Sequence, residues 1–242
     1  MATFGLIHGA WHGAWCWERL VSELDRLGHR GVAVNLPCDD PDATFETYAA
    51  CVVQALHGTT GPLVLVGHSL GGVTLPLAAA RLPVTRQVYL AAILHPALER
   101  PGGPPQHPPK RFKDLVRFPD GSHRWRSLAL ARDILYDRCT PDDAAWAFDH
   151  LRAQHTARPW ASVPVPDPWP TAPVSAIICA GDRVIEPGWG AWAAREVLGV
   201  EPITMDADHS PFLSDPAGLA DILSTLAGEG QSGWPSWSTA KS

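Results

Sequence analysis

Apolar positions fall into six short runs at Thr3–Ile7, Gly31–Leu36, Leu63–Val66, Gln87–Ile93, Val174–Ala180 and Val200–Met205. Their length and near-continuous apolar character predict buried strands. Between them lie stretches with helical period. In Glu18–Leu27, Leu20, Val21, Leu24 and Leu27 share one face and Gly28 closes the segment. Phe45–Leu56, Gly71–Leu82, Trp189–Leu198 and Pro216–Leu226 read the same way, with Pro76 expected to kink or shorten the third of these helices. Asp42 or Thr44 is placed to cap Phe45–Leu56. Strand and helix alternating at this spacing predict an α/β fold with a six-stranded, mostly parallel sheet flanked by helices.

The rhythm breaks between residues 95 and 172. Six prolines between Pro96 and Pro109 exclude regular structure there, and Pro159–Pro173 is again proline-rich. Lys110–Val116, Ser127–Arg138 and Asp142–Gln154 read as amphipathic helices. An inserted helical cap over the carboxyl ends of the strands is the economical reading, because ligands bind there in such sheets. A disordered linker is disfavoured by Phe112, Phe118, Trp125, Trp146 and Phe148, since disordered segments are poor in aromatics. The expected division is a core of residues 1–94 and 173–228, a cap of 95–172, and an aperiodic tail of 229–242.

Composition narrows the function classes. A net charge of -6 gives no basic footprint for nucleic acid or anionic membrane. No stretch approaches 18 uninterrupted apolar residues, so no membrane span is expected. The chain enters its first strand without a basic leader region, and five scattered cysteines (16, 38, 51, 139, 179) lack paired metal-ligand spacing. Reduced thiols and a cytoplasmic location are the corresponding expectations.

The chemistry centres on Gly67-His68-Ser69-Leu70-Gly71-Gly72, a glycine-flanked serine between a strand and a helix. Such a turn lifts the hydroxyl above the sheet and puts the Leu70 N–H at a helix N-terminus, where negative charge is favoured. A serine needs a base, and the base needs an acid to hold its tautomer. Asp182 follows the fifth strand and His209 the sixth, the order and placement required. The other histidines lack an acid at a preceding strand end, Glu186 lies further on, and Asp208 adjoins His209 too closely to reach around its ring. The first loop, His8-Gly9-Ala10, is the expected source of a second oxyanion N–H, that of Ala10. Trp15 and Trp17 read as packing residues, whereas Trp11, with Trp125 and Trp146 of the cap, is a candidate substrate contact. His8 and His12 are four apart but in a glycine-rich loop without a nearby carboxylate or thiolate, so no metal site is expected.

His8-Gly9-Ala10-Trp11-His12-Gly13-Ala14-Trp15-Cys16-Trp17, the Gly67–Gly72 turn, Gly181-Asp182-Arg183 and Asp208-His209-Ser210-Pro211 resemble the α/β-hydrolase superfamily. Within it they are most similar to the branch of plant methyl esterases and hydroxynitrile lyases with their bacterial relatives. The resemblance spans residues 3–226, loosely in the cap. It implies a sheet of six parallel strands, Ser69, Asp182 and His209 as triad, Ala10 and Leu70 as oxyanion donors, and no cofactor. The S-selective lyases of the branch carry threonine directly after the first-loop histidine and lysine directly after the catalytic one, and another lyase type has asparagine at the first place. Gly9 and Ser210 stand at these positions here. The resemblance therefore implies a serine esterase that works through an acyl-enzyme, and the cap with Trp11 points to a small, largely apolar ester. A C–C bond lyase and a non-catalytic ligand receptor with a retained triad are the alternatives. The expected partner is a small-molecule ester, with no nucleic acid and no membrane. A homodimer is compatible with the sequence.

Overall fold

A computed structural model describes residues 1–95, 115–155 and 157–228. Six strands, β1 (Thr3–Ile7), β2 (Arg30–Val34), β3 (Leu63–His68), β4 (Arg86–Leu90), β7 (Val174–Cys179) and β8 (Ile203–Met205), form one sheet in the order β2-β1-β3-β4-β7-β8. Every neighbouring pair is parallel. Alternation along the strands feeds two cores. Phe4, Leu6, Val64, Val66, Val88, Leu90, Ile177 and Cys179 pack on one side with α1 (Glu18–Arg26) and α9 (Pro216–Gly228). Ile7, Leu63, Leu65, Tyr89 and Ala176 pack on the other with α2 (Phe45–Leu56) and α3 (Gly71–Ala79). Burial on both faces is why these strands read as continuous apolar runs rather than alternating ones.

Local chemistry sets the element ends. Thr44 caps α2, accepting from the Thr47 N–H at 3.1 Å, and the Thr47 hydroxyl accepts the Thr44 N–H in return. α3 is buried throughout and tolerates Pro76 in its interior, but ends at Ala79 rather than Leu82. β4 stops at Leu90 because Ala91 turns to φ +42°, which breaks the ladder expected to run to Ile93. β8 begins only at Ile203. The expected helix Trp189–Leu198 is α7 (Pro187–Trp192) continued by a π-helical turn at Ala193–Val197.

The segment between β4 and β7 departs most from expectation. Leu115 and Val116, expected to end a helix, lie in strand β5 (Leu115–Arg117), which pairs antiparallel with β6 (His123–Trp125). The insertion is therefore not purely helical. It continues with α4 (Leu128–Leu135), α5 (Pro141–His150) and α6 (Ala157–Ala161). α5 ends at His150, four residues before the expected Gln154, which instead bridges to His123. The proline-rich stretch 96–109, most of the helix expected at 110–116, and the tail 229–242 lie outside the described residues. No helix among the described residues is long and apolar enough to cross a membrane. All five cysteines are free, and only Cys51 is not buried.

The turn at Ser69 depends on close backbone approach. A Cβ added to Gly71 would lie 2.6 Å from the Ile7 carbonyl oxygen and 2.9 Å from that of His8. Both are backbone atoms at the end of β1, so neither can move aside cheaply. Gly71→Ala is expected to destabilise the fold by about 1–3 kcal/mol, read as a lower urea midpoint with unchanged m-value.

Candidate active site

Ser69 sits between β3 and α3 at φ +50°, a region that non-glycine residues rarely occupy. The turn is held by its backbone. The Ser69 N–H donates to Leu90 O at 3.1 Å, and Ser69 O accepts from Ile93 N at 2.9 Å and Gly72 N at 3.0 Å. Such strain persists only where the surroundings over-determine it.

Asp182 lies just past β7. Its Oδ1 accepts the N–H groups of Val184 at 2.7 Å and Ile185 at 2.9 Å, which leaves Oδ2 for the Nδ1 of His209, 2.9 Å away. Both side chains are 2% exposed, so water does not compete for this contact. Arg183, next to Asp182 in the chain, pairs with Asp133 and Asp137 of the insertion. The loop after β8 has its own anchor in Asp208. This fully buried carboxylate accepts from Ser210 N (3.0 Å), Ser214 Oγ (2.8 Å) and Arg138 N (3.0 Å). Asp208 thus anchors the loop through backbone and hydroxyl donors that its place beside His209 in the sequence does not reveal. His68 Nε2 donates to the His209 carbonyl at 2.8 Å, and the two rings are 4.7 Å apart between centroids. The residue preceding Ser69 thus touches the loop that carries His209.

The first loop is organised by two imidazoles. His8 Nδ1 donates to Gly9 O at 2.8 Å while its Nε2 accepts the Leu36 N–H at 3.0 Å. His12 Nδ1 donates to Ala10 O at 2.8 Å while its Nε2 accepts from the Tyr136 hydroxyl at 2.9 Å. Carbonyl acceptors on Nδ1 and donors facing Nε2 fix both rings as neutral Nδ1–H tautomers. Burial acts in the same direction, lowering His8 to about 4 and His12 to about 3. The Ala10 and Leu70 N–H groups donate to no protein acceptor among the described residues.

These shifts make a stability prediction. Between pH 4 and 6.5 the unfolded chain binds protons at His8 and His12 that the folded chain refuses, so stability rises with pH across that window. Each ring contributes a slope of about 1.4 kcal/mol per pH unit. The urea midpoint is expected to fall steadily as pH is lowered from 6.5 to 4.5. A flat profile would contradict neutral burial of the pair.

The tryptophans separate. Trp11 is buried at φ +64°, edge-on to Trp125 at 5.3 Å, with its indole N–H on His123 Nδ1 at 3.0 Å. Trp146 lies against Trp15 and His150 instead, so the structure does not bring it to the Trp11–Trp125 pair. Trp17 is fully buried against Phe212. Among the described residues no group of three His, Cys, Asp or Glu side chains could hold a metal ion.

Residues 6–222 match the alpha/beta hydrolase family. The chain belongs to that family. This hydrolase is 38% identical to Probable esterase PIR7A of Oryza sativa subsp. indica, over 93% of this chain and 96% of the relative. Over 103 residues it is 40% identical to Esterase PIR7B of Oryza sativa subsp. japonica, a match spanning 38% of each chain. Its fold is that of the methylesterase MES16 from Arabidopsis, with a TM-score of 0.75 at 21% identity, covering 93% of this chain and 98% of that one. In this hydrolase the contact between Asp182 and His209 is legible from strand ends. The supports supplied by His8, His12, His68, Tyr136 and Asp208 are not, although the paired histidines of the first loop are a signal that could have pointed to them.

Proposed function

We propose that this hydrolase is a serine esterase in which Ser69 attacks the ester carbonyl and His209, held by Asp182, takes its proton. The observation that carries the reading is the buried 2.9 Å contact between His209 Nδ1 and Asp182 Oδ2. It fixes the proton on Nδ1 and leaves Nε2 free to act as base. Attack places negative charge on the carbonyl oxygen, which the unpaired N–H groups of Ala10 and Leu70 stabilise. Collapse expels the alcohol, which takes the proton from His209. A water molecule then loses its proton to His209 and attacks the acyl-enzyme, releasing the acid and restoring Ser69.

Two further observations support esters over cyanohydrins. A Cβ on Gly9 would lie 2.8 Å from Ser69 Cβ, so glycine keeps the space beside the hydroxyl open for a carbonyl. Ser210 follows His209, and no ammonium stands there to stabilise a departing cyanide. The named esterases among the relatives support the same class. The insertion would act as a cap favouring a small, largely apolar substrate.

The test combines a panel of phenyl and methyl esters, mandelonitrile, and a fluorophosphonate probe followed by peptide mapping. Ester turnover with label on the Ser69 peptide is expected. Cleavage of mandelonitrile without ester turnover would replace the reading with a lyase, and binding without turnover or label would replace it with a receptor.

A further inference from the structure

We infer that the insertion between β4 and β7 is the positioning scaffold of the oxyanion loop, with Tyr136 and Gln154 as positioning residues that act through His12 and the Ala10–Trp11 peptide. The inference rests on the esterase reading and extends it to residues outside the reacting groups.

The Ala10 N–H can serve an oxyanion only if the backbone around it is held still, and that backbone is not at rest. Trp11 occupies φ +64°, where a residue with a side chain stays only under external constraint. The constraints come from the insertion. The peptide joining Ala10 to Trp11 is pinned at both ends, its N–H on Gln154 Oε1 at 3.2 Å and its carbonyl on His12 Nδ1 at 2.8 Å. The next carbonyl, that of Trp11, accepts the Arg152 N–H at 2.7 Å. The indole is tied to His123. His12 is in turn committed to its tautomer by the Tyr136 hydroxyl.

The upstream peptide, which carries the Ala10 N–H, has its carbonyl held by His8 from within the core. One side of the oxyanion donor is thus fixed by His8, itself tied to the Leu36 N–H, and the other by residues 123–154. Bonds to a peptide carbonyl also polarise the chain of peptides they join. Removing a constraint from the insertion should therefore weaken transition-state binding while leaving ground-state binding alone.

The experiment compares wild type with Tyr136→Phe, which deletes one hydroxyl and keeps the ring, and with Gln154→Met, which deletes the acceptor of the Trp11 N–H. Three quantities are measured: kcat and KM for phenyl acetate, the affinity of a trifluoromethyl ketone that adds to the serine, and the affinity of the matching unreactive methyl ketone. Each variant is expected to lose about 10- to 100-fold in kcat, with KM within about threefold of wild type. Trifluoromethyl ketone affinity should fall in parallel, and methyl ketone affinity should hold. Folded variants with wild-type kcat would overturn the inference. So would equal losses of affinity for both ketones, which would mark general collapse of the site. Wild type that neither hydrolyses ester nor takes a fluorophosphonate would overturn the esterase reading itself, and this inference with it.

Discussion

Ser69→Ala is expected to lower kcat for a phenyl ester by about 10⁴-fold or more without loss of fold. The Ser69 turn is held by main-chain bonds to Leu90, Ile93 and Gly72, none of which needs the hydroxyl. Alanine therefore keeps the φ +50° geometry and the Ala10 and Leu70 N–H groups while removing only the hydroxyl proposed as nucleophile. What activity remains should come from substrate binding and the oxyanion donors acting on water. Steady-state kinetics beside a urea denaturation curve checks both halves. A variant that turns over ester at an undiminished rate would remove Ser69 from the mechanism.

Asp182→Asn is expected to cost about 10⁴-fold in kcat, by a route the geometry makes specific. Two N–H donors, from Val184 and Ile185, face Oδ1 and select an oxygen for that place. In asparagine the amide oxygen is therefore held there and the NH₂ group turns toward His209 Nδ1. That nitrogen can then no longer donate, so the ring moves its proton to Nε2 and presents a donor where a base is needed. The loss should appear in kcat, with thermal stability close to wild type because the loop's own bonds persist. A loss below about tenfold would mean that His209 is not oriented by this carboxylate.

Much of this architecture is written locally. β1 and α2 run as their apolar periodicity indicates, and of the two cap candidates, Asp42 and Thr44, the structure uses Thr44, whose partner Thr47 lies three residues away. The strand-end positions of Asp182 and His209 are likewise local features, and they suffice to suggest a contact across 27 residues. The errors have a different origin. β5 and β6 are three residues each, too short to show a period of two, and β6 gains its second neighbour from Gln154. β4 ends early at a left-handed Ala91 that no composition rule marks. The π-helical turn at Ala193–Val197 has no separate signature either. The ties from Tyr136, Arg152 and Gln154 to the first loop span more than a hundred residues and join residue types that serve many roles, so periodicity carries no trace of them.

β4 and β7 are hydrogen-bonded neighbours although 83 residues separate Leu90 from Val174. The sheet itself therefore sets no fixed length for what is spliced between them, and the site looks open to wholesale exchange in evolution. The ties to the first loop restrict that freedom. A foreign insertion could bring a new pocket wall, but unless it also supplied counterparts of Tyr136, Arg152 and Gln154 it would arrive with a slack anion cradle. With the loop in its proposed role, selectivity and turnover would be inherited together, and a graft designed to change one should be built around those contacts.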